Sequence, residues 1–286
     1  MRALPRALAL LASAVALAVP GARALASEAD FRPIAGEGLG YLRLAREGTA
    51  YHLLRVDLGR HPLRVADARR EGRRAASVDA LGREAGAMVA VNGTFFDENY
   101  RPLGLVASGG RELNPLRHVS WWAAFVVRDR GESAKAEILT TAQLLALDPA
   151  DRGPFAAAPQ SGPRTVASGR ALKLKEQSAA RSAVCITDPT HVVLLVTEGA
   201  PVESNALASF MAAPPAGGGL GCEAGVMFDG GPSSQLWVQA PGLALHVRGG
   251  WGVPNALVVL PARGASLACG SLRALRACIR WVYCAS

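Results

Sequence analysis

The sequence has few aromatic residues, no internal repeat and no metal-binding spacing of cysteine and histidine. Only 6% of its 286 residues are aromatic, yet 50% are hydrophobic, so the chain can bury a full core and is not a disordered protein. Its 31 glycines and 18 prolines follow no triplet period, which excludes collagen, and the lack of a repeat excludes solenoids and propellers. No CxxC or HExxH motif occurs and the five histidines are scattered, so we predict neither a metal site nor a cofactor.

Long hydrophobic runs are also scarce, because only one occurs and it lies at the N-terminus. Arg2 and Arg6 precede an apolar segment over residues 7–19, and small residues lead up to Ala26. These three parts are the layout of a secretory signal, and the apolar segment is too short to span a bilayer comfortably. We therefore expect residues 1–26 to be a bacterial-type signal peptide cleaved after Ala26. The mature protein is expected to be periplasmic or secreted, with no stable membrane insertion.

The charge of the chain is mildly basic. It carries 31 Lys+Arg against 23 Asp+Glu, and three arginines but no acidic residue lie in residues 1–26. The mature chain therefore has 28 basic against 23 acidic residues, a net charge of +5. Such an excess suits a partner that carries anionic sugars or phosphates. Dense basic runs are missing, so nucleic acid is not an expected partner.

Cysteine is rare, and its number is odd. The five cysteines are Cys185, Cys222, Cys269, Cys278 and Cys284. Export permits disulfides, but an odd number leaves at least one thiol free or paired between chains, and the connectivity stays open. The last three cysteines lie among several arginines in residues 262–286, which we predict to be a separate basic tail.

Short apolar runs separated by turn residues predict many strands and few helices. We expect strands over residues 51–58, 87–91, 122–127, 172–175, 183–187, 191–197, 225–228, 234–238, 243–247 and 256–260. We expect short helices over residues 77–84, 140–147 and 204–211, with Ser204 as the N-cap of the last, and a loop over residues 149–164. Strict alternation of strands and helices is absent, which disfavours a Rossmann fold. The prediction is an α+β fold of mixed β-sheets with a few short flanking helices, in a single catalytic domain over residues 30–261.

Polar residues follow three of the predicted strands at the point where each strand ends. These residues are Asn92, Glu198 and Asp229, and a glycine comes directly after each of them. Polar side chains at strand ends are positioned by a rigid sheet yet reach solvent, which is how many active sites are built. Asn-Gly and Asp-Gly are also common hairpin turns, so each motif alone is read as a plain turn. The three together favour a functional site.

Further residues are of the types that bind a phosphate or a sugar. Arg181 is placed to clamp a phosphate with two hydrogen bonds, although a solvated charge at a strand edge is an equal alternative. Trp121-Trp122 offers a sugar-stacking surface, but one of two adjacent strand aromatics must point inward, so a core role is favoured. The predicted substrate- and phosphate-binding residues are Asn92, Gln160, Gly162, Arg181, Gly230, Gly231 and Ser233.

Five short motifs together resemble a known family. They are Asn92-Gly93-Thr94-Phe95-Phe96, Pro102-Leu103-Gly104, Gln160-Ser161-Gly162-Pro163, Arg181-Ser182-Ala183 and Asp229-Gly230-Gly231-Pro232-Ser233-Ser234. In this order they resemble the phosphodiester glycosidase family, and the resemblance covers most of residues 50–261. The sequence departs from the family pattern at Cys185, where a small residue is expected, and at Pro232, where glycine is frequent.

The resemblance implies an exported hydrolase that cleaves the glycosidic bond of a sugar-1-phosphodiester, with a phosphorylated glycan or a related sugar phosphodiester as substrate. It suggests Asp229 and Glu198 as the catalytic pair, because an oxocarbenium-like sugar needs a carboxylate to stabilise it or to activate water. A non-catalytic envelope module that binds anionic glycans is the alternative. A metal phosphodiesterase is disfavoured, because no run of metal-ligand residues is present.

Overall fold

The computed structural model describes residues 30–264 apart from residues 131–132 and 153. This part of the chain forms twenty strands and four helices. The strands are β1 (Arg32–Pro33), β2 (Leu39–Arg46), β3 (Thr49–Asp57), β4 (Leu63–Asp67), β5 (Val89–Asn92), β6 (Val106–Ser108), β7 (Arg111–Asn114), β8 (Ala123–Arg128), β9 (Lys135–Thr140), β10 (Phe155–Ser161), β11 (Arg164–Ala167), β12 (Arg170–Ala171), β13 (Ser178–Ala179), β14 (Ser182–Asp188), β15 (His191–Gly199), β16 (Val202–Glu203), β17 (Ala224–Met227), β18 (Leu236–Ala240), β19 (Leu243–Val247) and β20 (Asn255–Val259). The helices are α1 (Val78–Glu84), α2 (Thr141–Ala146), α3 (Pro149–Arg152) and α4 (Ser204–Ala212).

The strands form one large sheet, two smaller sheets and a short ribbon. The large sheet has eight strands in the order β1-β2-β3-β15-β14-β17-β11-β12. The five-stranded sheets have the orders β7-β6-β10-β8-β9 and β19-β18-β5-β20-β4, and β13 pairs with β16. Each of these pairings is antiparallel, whereas the sequence predicts mixed sheets.

The sheets and helices pack in layers around a shared core. Alternate residues of the large sheet, such as Leu54 and Val184, pack against both five-stranded sheets, represented by Phe125 and Leu257. This alternation follows from the two-residue period of a strand. On its other face the large sheet is covered by α4, while α1 covers one five-stranded sheet and α2 covers the other. The predicted α+β fold with a few short flanking helices in a single domain is confirmed.

Two local predictions are wrong because tertiary contacts override local sequence preference. Residues 155–161, expected in a loop, form the fully buried strand β10, whose run of alanines suits close packing at the centre of its sheet. Residues 172–175, expected as a strand, have no regular structure. There Asn205 caps the Leu174 backbone amide at 2.7 Å instead.

The predicted N-cap of the last helix is displaced by one residue. Glu203, not Ser204, caps α4, and its carboxylate accepts hydrogen bonds from the amides of Asn205 and Ala206. The Ser204 hydroxyl instead donates to the carbonyl of Lys175 at 2.7 Å. A carboxylate at this position also interacts favourably with the positive end of the helix dipole.

The expected terminal segments lie mostly outside the described residues. Residues 1–26, predicted as a signal peptide, and residues 265–286 of the predicted tail belong to those parts. Among the residues that the structure describes, every helix is too short or too polar to cross a membrane.

Candidate active site

The predicted polar strand ends meet at one edge of the eight-stranded sheet, the edge that is formed by the ends of its central strands. Glu198 lies near the end of β15, Arg181 comes just before β14, and Asp229 follows β17. These three strands are antiparallel neighbours in the order β15-β14-β17, so the named ends lie on the same edge. The backbones at Glu198 and Asp229 are two strand spacings apart, which is about 10 Å.

The three strand-end turns connect strands that are not paired with each other. β5 ends at Asn92 and pairs with β18 and β20, whereas the next strand along the chain, β6, belongs to another sheet. β17 leads through Asp229 from the large sheet into β18 of a five-stranded sheet, and β15 leads past Glu198 to β16 of the short ribbon. The interpretation of these motifs as simple hairpin turns is therefore wrong.

Asp229 is the carboxyl group at the centre of this edge. Its side chain is half-buried, and this desolvation raises its pKa, while the Ser233 hydroxyl and the Gly230 amide lower it by smaller amounts. The Gly230 amide donates to Asp229 Oδ1 at 3.0 Å. Ser233 Oγ is buried and faces the carboxylate without full hydrogen-bond geometry. A carboxylate with a raised pKa is a stronger base than an ordinary aspartate, which suits it to proton transfer.

Asn92 ties Asp229 to the neighbouring sheets. Its side chain is fully buried, and its Nδ2 donates to the Asp229 carbonyl oxygen at 2.7 Å. Its Oδ1 accepts from Ser182 Oγ at 2.7 Å and from the Gln235 amide at 3.1 Å. Because both ends of the carboxamide are occupied, the geometry favours a positioning role for Asn92 over direct contact with sugar or phosphate.

The backbone of Arg181 lies beside the end of β17, but its guanidinium points to the side of the sheet that α4 covers. Its Nε donates to the Val202 carbonyl oxygen at 2.9 Å, and its Nη1 lies 3.7 Å from Met227 Sδ in the core under α4. Its Nη2 donates to the Gln177 carbonyl oxygen. Burial lowers the pKa of this guanidinium. These bonds fasten residues 177–180, so the structure favours a positioning role over the predicted phosphate clamp.

The turn after Asp229 uses its backbone amides internally. The Gly230 amide faces the carboxylate, and the Gly231 amide donates to the Ala180 carbonyl oxygen at 2.8 Å. The amides of Gly230 and Gly231, predicted to bind substrate or phosphate, therefore already face protein acceptors. The hydroxyls of Ser233 and Ser234 at this turn are buried: that of Ser233 faces Asp229, and that of Ser234 has no hydrogen-bond partner within the described residues.

Gln160 and Arg117 form a second part of the site. The Gln160 side chain is buried, accepts the amide of Arg117 at 2.9 Å and donates to the carbonyl oxygen of the same residue at 2.8 Å. Gln160 therefore fixes the Arg117 backbone and is not itself open to a ligand. The exposed Arg117 guanidinium lies 5.6 Å from the ring centre of Trp122. The sequence analysis missed this cation, although an arginine just before a tryptophan pair is a recognisable signal.

An aromatic wall, formed by Phe95, Trp121 and Trp122, stands beside Gly162. The ring centres of Phe95 and Trp122 are 5.4 Å apart, and Trp122 points inward while Trp121 is 56% exposed. A Cβ atom on Gly162 would come within 2.8 Å of Trp122 Cδ1, so only glycine permits this close approach. Gly162 thus shapes the wall, and it lies next to Pro163, whose carbonyl oxygen accepts the Met227 amide.

Glu198 is held by a histidine that the sequence analysis also missed. Glu198 Oε2 lies 3.3 Å from His52 Nε2, and His52 Nδ1 lies 2.9 Å from the Tyr41 hydroxyl oxygen. His52 is buried and burial lowers its pKa, while the interaction with Glu198 raises it by a smaller amount. The Glu198 side chain is 54% exposed, so it reaches solvent from a fixed base. A histidine inside the apolar run of β3 was the available sequence signal.

No group of three or more potential metal ligands occurs among the residues that the structure describes. A cavity of 330 Å³ lies elsewhere, between α1 and the strands β4 and β20, where Asp67 and Glu84 are among its lining residues. It contains none of the strand-end groups described above. We therefore place the candidate site at the sheet edge around Asp229.

A known protein family matches the part of the chain that contains the candidate site. The phosphodiester glycosidase family matches residues 85–260, which include Asn92, Gln160, Arg181, Glu198 and Asp229. This match covers more than half of the chain. The chain therefore belongs to the phosphodiester glycosidase family. No curated protein matches it.

Solved structures share the fold at low sequence identity. The catalytic domain of zebrafish N-acetylglucosamine-1-phosphodiester alpha-N-acetylglucosaminidase, auto-inhibited by its pro-peptide, is 15% identical, with a TM-score of 0.58 over 82% of this chain and 86% of that one. A hypothetical protein from Synechocystis is 17% identical, with a TM-score of 0.52 over 78% of this chain and 62% of that one. A protein of Burkholderia pseudomallei K96243 that is named as exported is 14% identical, with a TM-score of 0.54 over 78% and 74%.

Proposed function

We propose that this protein is an exported hydrolase that cleaves the glycosidic bond of a sugar-1-phosphodiester and releases a sugar and a phosphate monoester. Family membership supports hydrolysis of this type, and the name of the zebrafish relative supports the substrate class. The observation that carries the proposal is the position of Asp229, half-buried and with a raised pKa, on the same sheet edge as Glu198.

In the proposed reaction Asp229 acts on water at the anomeric carbon. The carboxylate accepts a proton from the water while the water oxygen bonds to the anomeric carbon. The bond from that carbon to the phosphate oxygen breaks. The sugar ring passes through an oxocarbenium-like state, which a second carboxylate stabilises. Glu198 supplies that carboxylate, and His52 holds it in place at 3.3 Å.

The leaving group of this reaction needs little protonation. A phosphate monoester departs as a stabilised anion, because its second pKa is about 6. Its charge still has to be balanced, and Arg181 is committed to backbone carbonyl groups. We assign the phosphate contact to Arg117, which is exposed beside the aromatic wall, with Ser233 as a hydroxyl donor. Fixed charges of this kind stabilise the transition state.

Export is supported by the disulfide between Cys185 and Cys222. Such bonds form and persist in oxidising compartments and are rare in the bacterial cytosol. The proposal therefore keeps the signal peptide over residues 1–26 and cleavage after Ala26. Sequencing the N-terminus of the exported protein tests it, and a protein that starts at residue 1 outside the cytoplasm would contradict it.

The first experiment measures hydrolysis of N-acetylglucosamine 1-(methyl phosphate) by two variants. We expect Asp229→Asn to lose activity on the order of 100-fold or more, and Arg117→Ala to lose about tenfold or more, because each removes a charge that acts in the transition state. Asp188→Asn and Arg111→Ala are the matched controls, since both lie at other strand ends. Full activity in folded Asp229→Asn protein would refute the assignment.

Hydrolysis in water labelled with heavy oxygen distinguishes the proposed glycosidase from a metal phosphodiesterase. Cleavage at the anomeric carbon puts the label in the sugar, whereas a metal phosphodiesterase would put it in the phosphate. A protein that binds anionic glycans with salt-sensitive affinity but releases no product from any sugar phosphodiester would be a binding module. Label in the phosphate, or binding without release of product, would contradict the proposed function.

A further inference from the structure

Two exposed tryptophan side chains lie beside the candidate site. Trp121 is 56% exposed and Trp251 is 58% exposed. Among the described residues Leu145, on α2, is the other large apolar side chain that is exposed to this degree. Single apolar residues are normal on a protein surface, but two indoles next to one active site are not scattered singly. Their shared location calls for a common ligand.

Trp251 is attached to the turn that follows Asp229. Its amide donates to the Pro232 carbonyl oxygen at 3.3 Å, and its carbonyl oxygen accepts from Gln235 Nε2 at 2.7 Å. Gln235 is itself buried and accepts the Val78 amide at 3.2 Å. The backbone that carries the indole is therefore fixed relative to Asp229, while the ring stays in solvent.

Trp121 is fixed from another direction. It packs edge-on against the buried Trp122, with ring centres 5.7 Å apart, and a Cβ atom on Gly162 would come within 3.2 Å of it. Gly162 lies on the β11 side of β17. The turn after Asp229, whose Pro232 carbonyl oxygen accepts the Trp251 amide, is bonded instead through Gly231 to Ala180, on the β14 side of β17. The two indoles are thus linked to the end of β17 through different segments, Trp121 through Gly162 and Pro163 and Trp251 through Pro232 of the turn after Asp229.

We propose that Trp121 and Trp251 are stacking platforms for two sugar rings, one on each side of the sugar whose bond is cut. The substrate is then a glycan chain with the phosphodiester inside it, not a single sugar on a small alcohol; this inference rests on the proposed function for the bond that is broken. The C–H face of a pyranose is apolar and pairs with the electron-rich face of an indole. A solvent-facing indole on a fixed backbone provides that contact without a rearrangement of the protein.

The test compares a short and a long substrate. The short one is N-acetylglucosamine 1-(methyl phosphate); the long one has the same scissile bond between a disaccharide and a trisaccharide. We expect wild-type protein to prefer the long substrate, and we expect Trp121→Ala and Trp251→Ala each to lower the long-to-short ratio of kcat/KM about tenfold. The variants Trp121→Phe and Trp251→Phe should recover most of the ratio, and Leu145→Ala should leave it unchanged.

A binding measurement distinguishes this inference from the proposed function. In Asp229→Asn protein, binding of a neutral pentasaccharide is followed by indole fluorescence, with and without each Trp→Ala change. If hydrolysis occurs but the long-to-short ratio is the same in wild-type and alanine variants, the platforms are refuted and the proposed function stands. If no sugar phosphodiester is hydrolysed but the alanine variants lose pentasaccharide binding, the platforms stand and the proposed function fails.

Discussion

At the residue scale, Asp229 owes its chemistry to the place where its strand ends. Burial removes water from the carboxylate and raises its pKa, while the Gly230 amide at 3.0 Å limits that rise. The same burial that makes the group a stronger base also disfavours its charged form. Asn92 and Arg181 serve this arrangement indirectly. Asn92 bonds to the Asp229 backbone, and Arg181 fastens the segment that precedes β14.

The raised pKa of Asp229 predicts the acid side of the pH–activity profile. Because the proposed mechanism needs the carboxylate form, kcat/KM should rise with pH and level off above a midpoint that lies higher than the ordinary value of 3.8. The Asp229→Asn variant should lack this rise, and Asp188→Asn should keep it. A midpoint at or below 3.8, or the same profile in Asp229→Asn, would contradict the role given to this residue.

At the element scale, α4 shows how a short helix supports the site from behind. Glu203 caps the helix through the amides of Asn205 and Ala206, and these bonds with the Ser204 hydroxyl lower its pKa to about 2. The same carboxylate favours the charged form of the buried Arg181 guanidinium. The cap therefore orders the helix and supports Arg181, for which the geometry favours a positioning role next to the candidate active site.

The cap predicts a pH-dependent loss of stability. Its contribution is fully present above the ordinary pKa of 4.5 and is lost as the pH falls toward 2, because the lowered pKa favours the folded state only when the group is charged. At pH 7 we expect Glu203→Gln to lower Tm by about 2–4 °C. The exposed Glu176→Gln is the control, and a Tm difference that persists undiminished near pH 2 would contradict the interpretation.

The sequence predicts strands with continuous β-branched or alternating patterns, and it fails where only tertiary packing defines a strand. The run at residues 191–197 is recognisable from its valines and leucines, and the structure has β15 there. β10 is built from alanines around Pro159, which carry no local strand preference.

The same limit applies to the candidate site. Asp229 and Glu198 stand out as polar residues at strand ends, but the direction in which Arg181 points depends on carbonyl groups from residues 177 and 202. Whether a side chain is open to a ligand depends on such partners. Local spacing therefore locates the site better than it assigns the roles.

At the scale of the whole molecule, three sheets share one core and a disulfide joins parts of the chain that are far apart in sequence. Cys185 lies in β14 and Cys222 precedes β17, with a sequence separation of 37 residues, and both are buried under α4. β14 and β17 are the neighbouring strands that carry Arg181 and Asp229 at their ends. The covalent link thus joins β14 to the segment just before β17, and these two strands carry the candidate site.

Removal of this link should destabilise the whole fold. A cross-link that closes a loop of this length stabilises the folded state by about 4 kcal/mol in the chain-entropy account. We expect the double variant Cys185→Ala/Cys222→Ala to show a loss of about 2–4 kcal/mol in the free energy of unfolding, measured in urea. Wild-type protein under reducing conditions should match it. Equal stability of the oxidised protein and the double variant would contradict this prediction.

The amide of Asn92 has a consequence for any evolutionary or engineering change near the site. One planar group bridges β5, β14 and the turn after β17. Loosening it would free the backbone of Asp229, whose carboxyl group we propose to be reactive, and would weaken the contact between two sheets. A substitution of Asn92 is therefore expected to lower the stability of the fold together with the activity proposed for Asp229.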